Sequence, residues 1–251
     1  MYDLCSPQIS IHSTCARCPV RHHAVCKALQ DRDLRVLSDI MIHQKRKRGQ
    51  TIWIDEAEAR YFGVVTSGVV KLVKTLSDGR HQIVSFLFPS DFLGCIFSSK
   101  NENFAEAVTD VELCCFRARE FEQILQCHPP LEHELLRRTL NDLTDAREWM
   151  VALGQKTATE KIASFLLRLS RNAELSRHSN VQQTSNFPTF VLSMTRNEMA
   201  AYLGLTIETV SRKLTWLRTR CVIRITGNQI FEICDPNALE ELSESRNWPE
   251  T

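Results

Sequence analysis

Apolar positions return along this chain with two periods. Within residues 32–42, 118–127, 159–170, 195–203 and 206–219 they recur every three or four positions, the spacing of a helix with one buried face. Between residues 51 and 116 they alternate instead. Thr51–Ile54, Tyr61–Val65, Val69–Lys74, Gln82–Phe88 and a further pair within Phe104–Phe116 read as strands, with Ser67-Gly68 and Asp78-Gly79 as turns. Closely spaced antiparallel strands joined by glycine turns predict a jelly-roll-like β-barrel. His128-Pro129-Pro130 stops the helix before it, because proline cannot continue one, and a long helix then runs to about Leu153. Asn172–Thr189 is polar and reads as a loop. The fold class expected is α+β.

Thr195 and Glu198 have the spacing of a capping box, Gly204 suits a left-handed helix end, and Thr206 suits the cap of a second helix. Val210, Leu214 and Leu217 give that second helix an inner face, while Glu208, Ser211 and Arg212 near its start point the other way. Cys221–Ile233 then reads as two alternating strands around a Gly227-Asn228 turn. Two helices and such a hairpin form a winged helix-turn-helix, whose second helix suits the DNA major groove. Arginine pairs with guanine through two bonds, glutamate accepts from cytosine, and serine is permissive.

In the long helix Leu136, Thr139, Leu143, Ala146, Met150 and Leu153 step by three and four residues in alternation, the pattern of a coiled-coil seam. The partner is a second copy of the chain or the chain's own barrel. Asp142, Asp145 and Glu148 are expected to flank the seam and, in a symmetric pair, to repel their own copies.

Formal net charge is only +1, so the molecule as a whole is no polycation. Residues 191–224, however, hold Arg196, Arg212, Lys213, Arg218, Arg220 and Arg224 against Glu198 and Glu208, a local excess suited to phosphates. The run Lys45–Arg48 reads as a solvated strand edge. No apolar run approaches a membrane span and no export signal is visible, so the expected location is the cytoplasm, away from membranes. In that reducing compartment ten cysteines do not read as a disulfide framework. Cys15, Cys18 and Cys26 form a close triple, a thiolate spacing that suits zinc or an iron–sulfur cluster but leaves one ligand to come from elsewhere. His12, His22 and His23 keep zinc in view. Cys95, Cys127, Cys221 and Cys234 read as buried hydrophobes and Cys5 as an idle terminal thiol.

The order barrel, long helix, winged helix-turn-helix resembles the CRP/FNR superfamily of bacterial transcription regulators over nearly the whole chain. Leu203-Gly-Leu-Thr-Ile-Glu-Thr-Val-Ser-Arg212 and Cys15-x-x-Cys18…Cys26 carry the likeness. The cysteines resemble the fumarate-and-nitrate-reduction (FNR) branch, which senses oxygen through a 4Fe-4S cluster. The gap before Cys26 is similar to that of an alphaproteobacterial subgroup. The resemblance implies a fourth ligand within Ala105–Cys114, hence Cys114; Cys115 would face the other side of the strand, and Cys95 is an outside candidate. It further implies a homodimer paired through the seam and bound to double-stranded DNA. The operator would be an inverted repeat of the TTGAT type, read by Glu208, Ser211 and Arg212, with Thr195, Arg196, Thr206 and Lys213 beside them at the DNA. RNA polymerase would touch surface loops, of which the Ser77–Gln82 turn is a candidate. No arginine stands in Phe97–Ala107 to meet a cyclic nucleotide's phosphate, so none is expected.

The domains implied are a cluster-binding segment (1–30), a β-roll sensory domain (31–128), a dimerisation helix (129–155) and the DNA-binding domain (156–251). An enzyme is not expected. The alternatives are a cluster-free regulator that uses zinc, a thiol or a small ligand, and, more remotely, an iron–sulfur enzyme.

Overall fold

The computed structural model describes residues 14–53, 60–94, 96–98, 100–101, 103–175, 187–227 and 229–244. Cys5, His12, Cys95 and Asn228, Ile54 of an expected strand, residues 176–186 of the expected loop, and Ser99 and Glu102 of the stretch Phe97–Ala107 lie outside them.

A short helix, α1 (Leu34–Ile40), runs directly into β1 (Met41–Arg46). The barrel continues with β2 (Thr51–Trp53), β3 (Tyr61–Ser67), β4 (Val70–Thr75), β5 (His81–Leu87), β6 (Phe92–Leu93), β7 (Phe104–Ala107) and β8 (Val111–Arg117). They form two four-stranded antiparallel sheets, in the orders β1-β8-β3-β6 and β2-β7-β4-β5. Strand alternation divides the side chains of β3 and β8. Val65, Val111, Leu113 and Cys115 join Val70, Ala105 and Ala107 of the other sheet in the barrel interior. Phe62, Val64, Cys114 and Phe116 point the other way, into a second core that α1 and the following helices cover.

Those helices are α2 (Ala118–Cys127), α3 (Pro129–Gln155) and α4 (Ala158–Leu175). Pro129 opens α3, where its missing N–H costs nothing. Leu131 and Leu135 of α3 are buried in the second core beside Phe121 and Ile124 of α2. Beyond them α3 turns an apolar stripe to solvent, with Leu136, Leu140, Leu143, Met150 and Val151 all exposed.

The carboxy-terminal unit holds β9 (Thr189–Val191), α5 (Arg196–Leu203), α6 (Ile207–Thr219), β10 (Ile223–Thr226), β11 (Ile230–Ile233) and α7 (Pro236–Glu244). The hairpin β10–β11 gains β9 as a third strand, at the end of a stretch that reads as loop. α4 likewise runs past the expected Ser170 to Leu175. No helix among the described residues is long and apolar enough to cross a membrane.

Candidate thiol site and nucleic-acid interface

Cys15 and Cys26 each sit in a one-turn 3-10 helix, Thr14–Arg17 and Val25–Ala28. Backbone bonds wind the segment between them tightly: the Cys18 N–H donates to the Cys15 carbonyl at 3.3 Å, and the Arg21 N–H to that of Cys18 at 3.2 Å. This winding turns Cys15, Cys18 and Cys26 toward β8. There they border, together with Cys114, one cavity of about 340 Å³. Val64, Met41 and Ala24 give it apolar walls, and Arg17, Arg21, His43 and Glu112 bring charge and polarity. Cys115 lies on the opposite face of β8, wholly buried, its sulfur where a Cβ on Gly63 would come within 3.4 Å.

Burial raises the pKa of three of these thiols, Cys15, Cys26 and Cys114. Burial pushes Cys26 up to about 12, with Cys15 and Cys18 adding to the effect. Burial also drives Cys114 strongly upward, with Cys26, Cys15 and Cys18 pushing the same way. Cys15 is raised by burial and partly relieved by a hydrogen bond from Ser38. Such thiols lose their protons only in exchange for a strong Lewis acid, and ligation releases the protons. Among the described residues no group of three or more His, Cys, Asp or Glu is placed to hold a single metal ion.

The remaining cysteines depart from expectation. Cys127, at the end of α2, and Cys221 are exposed, and Cys234 is half-buried; none is a core residue. Cys221 takes φ 57° at the turn that leaves α6. His22 and His23 are not among the residues that border the thiol cavity.

The second helix of the carboxy-terminal unit is built as its sequence implies. Thr195 accepts from the Glu198 N–H at 3.2 Å, and its own N–H donates to the Glu198 carboxylate at 2.8 Å. Gly204 ends α5 at φ 63°, and Thr206 accepts from the Thr209 N–H at 3.2 Å to start α6. Val210, Leu214 and Leu217 are fully buried. Glu208 and Arg212 are exposed and Ser211 is half-buried on the outer face; Thr195 and Thr206 are exposed, Arg196 and Lys213 half-buried. Arg196 lies close enough to Arg218, and is desolvated enough, to have its pKa lowered by both effects, burial first. Hydrogen bonds from its own backbone and from Thr206 keep Glu208 below the usual carboxylate range. A charged carboxylate and guanidinium are thus offered side by side to solvent.

On α3, Leu136, Thr139, Leu143 and Met150 face solvent. Leu140 and Val151 extend the stripe, although the heptad reading leaves them out. Leu153 is half-buried and borders, with Ala146, a second cavity of about 530 Å³ between barrel and helices. Asp142, Asp145 and Met150 line that cavity as well, and Asp142, Asp145 and Glu148 are exposed on α3. In the Ser77–Gln82 turn, Gln82 donates from Nε2 to the carbonyls of Ala201 and Tyr202 in α5, which leaves Ser77–His81 as the exposed part.

The sequence matches two family profiles: the cyclic nucleotide-binding domain over residues 43–128 and the Crp-like helix-turn-helix domain over residues 160–242. It is 38% identical over 221 residues to the transcriptional activator protein FnrL of Cereibacter sphaeroides, covering 88% of each chain. It is also 38% identical to a probable transcriptional activator of Rhizobium leguminosarum bv. viciae, covering 91% of this chain and 92% of that one. Among solved structures, FixK2 from Bradyrhizobium japonicum superposes with TM-score 0.74 at 28% identity, over 83% of this chain and all of that one.

Proposed function

The chain belongs to the Crp/FNR family of transcription regulators, and its helix-turn-helix is a DNA-binding module; from that premise we propose that it is an oxygen-responsive regulator. In this reading Cys15, Cys18, Cys26 and Cys114 hold a 4Fe-4S cluster that favours homodimerisation and operator binding.

One observation carries the reading. Four thiols from two distant stretches of chain border a single cavity. A four-cysteine donor set suits a 4Fe-4S cluster, and iron and acid-labile sulfide analysis separates it from a four-thiolate zinc site. When bound, the cluster supplies oxygen-labile iron–thiolate bonds across the cavity. Everything else falls to the chain's own residues. The cysteines tie residues 15–26 to β8, and Arg17 and Arg21 at the rim offset the charge of the thiolates. The tied segment lies against α3, whose solvent face carries Leu136, Leu140, Leu143 and Met150. Two copies paired there would set their α6 helices one DNA turn apart, which is what an inverted repeat requires. Glu208, Ser211 and Arg212 would read TTGAT-type half-sites, with Thr195, Arg196, Thr206 and Lys213 near the backbone. Ser77–His81 would be free to meet RNA polymerase, and the protein would work in the cytoplasm.

A second reading, a cluster-free regulator that senses a small ligand, has the 530 Å³ cavity in its favour. Its walls hold Asp91, Asp142 and Asp145 against the single guanidinium of Arg168, which does not suit a phosphate.

Fluorescence anisotropy on a TTGAT inverted repeat separates the two. Anaerobically prepared protein should bind about tenfold or more tightly than the same sample after air. Equal affinities would remove the oxygen-responsive reading.

A further inference from the structure

Glu134 of α3 is a carboxylate with 7% exposure, a costly placement for a charge unless it is fully paired. Its pairing is unusually complete. Arg137 donates to it twice, from Nε at 2.9 Å and from Nη2 at 2.8 Å, and Arg138 Nε donates at 2.8 Å. These two arginines belong to the same helix. The fourth contact does not: Lys27 Nζ, beside Cys26, lies 3.2 Å from the same carboxylate. Together these cations hold the Glu134 carboxyl at about 2, the Arg137 hydrogen bond contributing most. Arg138 then reaches back to the segment, donating from Nη2 to the carbonyl of His23, and from Nη1 to the carbonyl of Ser90 at 3.4 Å, in the turn before β6.

The stretch from His23 to Lys27, which carries Cys26, is therefore fastened to α3 at two polar points that share one carboxylate. Val25 and Leu29 on the segment, with Leu131 and Leu135 on the helix, belong to the same apolar core. The buried Glu134 carboxylate, held by two arginines, adds a directional partner for Lys27 to the apolar contact. Glu134 and Arg138 each stand two residues from Leu136, about 200° around the helix, so the segment grips α3 on the side opposite the exposed stripe.

We propose that Glu134 is the positioning residue that carries the state of the thiol site to the pairing face of α3. It touches no thiol. It sets the register of residues 23–27 on the back of the helix, and so the straightness of the turns that bear Leu136 and Leu140. This rests on the cluster reading given above.

The test uses the full-length protein, its Glu134→Gln variant and, as a second variant outside the helix, Lys27→Met. Two quantities are read: the ratio of dimer dissociation constants after and before air, by sedimentation equilibrium, and amide hydrogen exchange at residues 23–29 in the cluster-free protein. Both variants should keep the visible absorbance of the anaerobic protein. Their air-to-anaerobic ratio should fall from roughly ten or more to about one. Exchange at 23–29 should rise about tenfold with α4 unchanged, and the double variant should add nothing further. If Glu134→Gln fails to fold, Lys27→Met reads the same ratio. A wild type that responds to air, with variants that respond as strongly, overturns the proposal alone. A wild type whose pairing ignores air overturns the cluster reading, and the transmission with it.

Discussion

Trp149 of α3 and Tyr202 of α5 stack face to face, ring centroids 4.6 Å apart and planes 11° from parallel. Tyr202 also meets Phe86 of β5 edge-on at 5.2 Å and Phe165 of α4 at 5.3 Å. One aromatic cluster thus touches the barrel, the long helix and the DNA-binding unit. Lys71 of β4 adds a polar tie, 2.9 Å from Glu106 and 3.1 Å from Glu198, the same carboxylate that caps α5. The orientation of the helix-turn-helix is set by these contacts to the sensory barrel.

Trp149→Ala removes the stack and should cost roughly 1–3 kcal/mol, less than a fully buried tryptophan because the ring is half-exposed. A urea titration checks this. An unmoved midpoint would mean that the node does not hold the units together.

Arg212→Ala should weaken binding to the preferred operator by about 1–3 kcal/mol and blur one guanine position. Competition anisotropy at fixed salt separates base reading from phosphate contact. A uniform loss across all sequences would assign Arg212 to the backbone.

Leu143→Asp puts a charge in the middle of the exposed stripe of α3, where Leu136, Leu140 and Met150 surround it. Sedimentation equilibrium should show a dimer weakened about a hundredfold, since a desolvated carboxylate costs several kcal/mol. An unchanged dimer would place the pairing surface elsewhere.

Asp91 lines the larger cavity and accepts from the Phe88 N–H at 2.8 Å. Burial raises it to about 6, and Asp142 pushes the same way. With the folded value above the unfolded one, its favourable contribution is complete below about pH 4 and is lost as pH rises through about 6. The wild type should therefore lose roughly 2 kcal/mol from this group between pH 4 and 7. Asp91→Asn keeps an acceptor for Phe88 and should abolish that slope in a series of melting temperatures. Parallel curves for the two proteins would assign the slope to another group.

Much of this was legible in the sequence, and the reasons are local. Thr195, Glu198, Gly204 and Thr206 specify their helix ends by chemistry within a few residues, and the structure forms those caps. Alternation in Val111–Arg117 says that Cys114 and Cys115 face opposite ways. Which face meets the amino-terminal cysteines is decided by pairing with β1 and β3. Of β1 only the charged end at Lys45 and Arg46 is read as a strand edge, because Met41 and Ile42 continue the apolar spacing of the helix before them, and β6 is missed because it is two residues long. Asp142 and Asp145 are read as a seam flank from spacing alone; that they also line a cavity, together with Ala146 and Met150 of the seam, depends on where the barrel lies. The Lys27–Glu134 contact joins residues far apart in sequence and leaves no local signal.

The central claim is that Cys15, Cys18, Cys26 and Cys114 share an oxygen-labile iron–sulfur cluster. The most direct measurement is the visible spectrum of protein purified without air, with iron and acid-labile sulfide determined on the same sample. The account predicts a brown chromophore with about four irons and four sulfides per chain, bleached by air, lost in Cys114→Ser and kept in Cys115→Ser. A colourless, iron-free protein that binds its operator at full strength would contradict it.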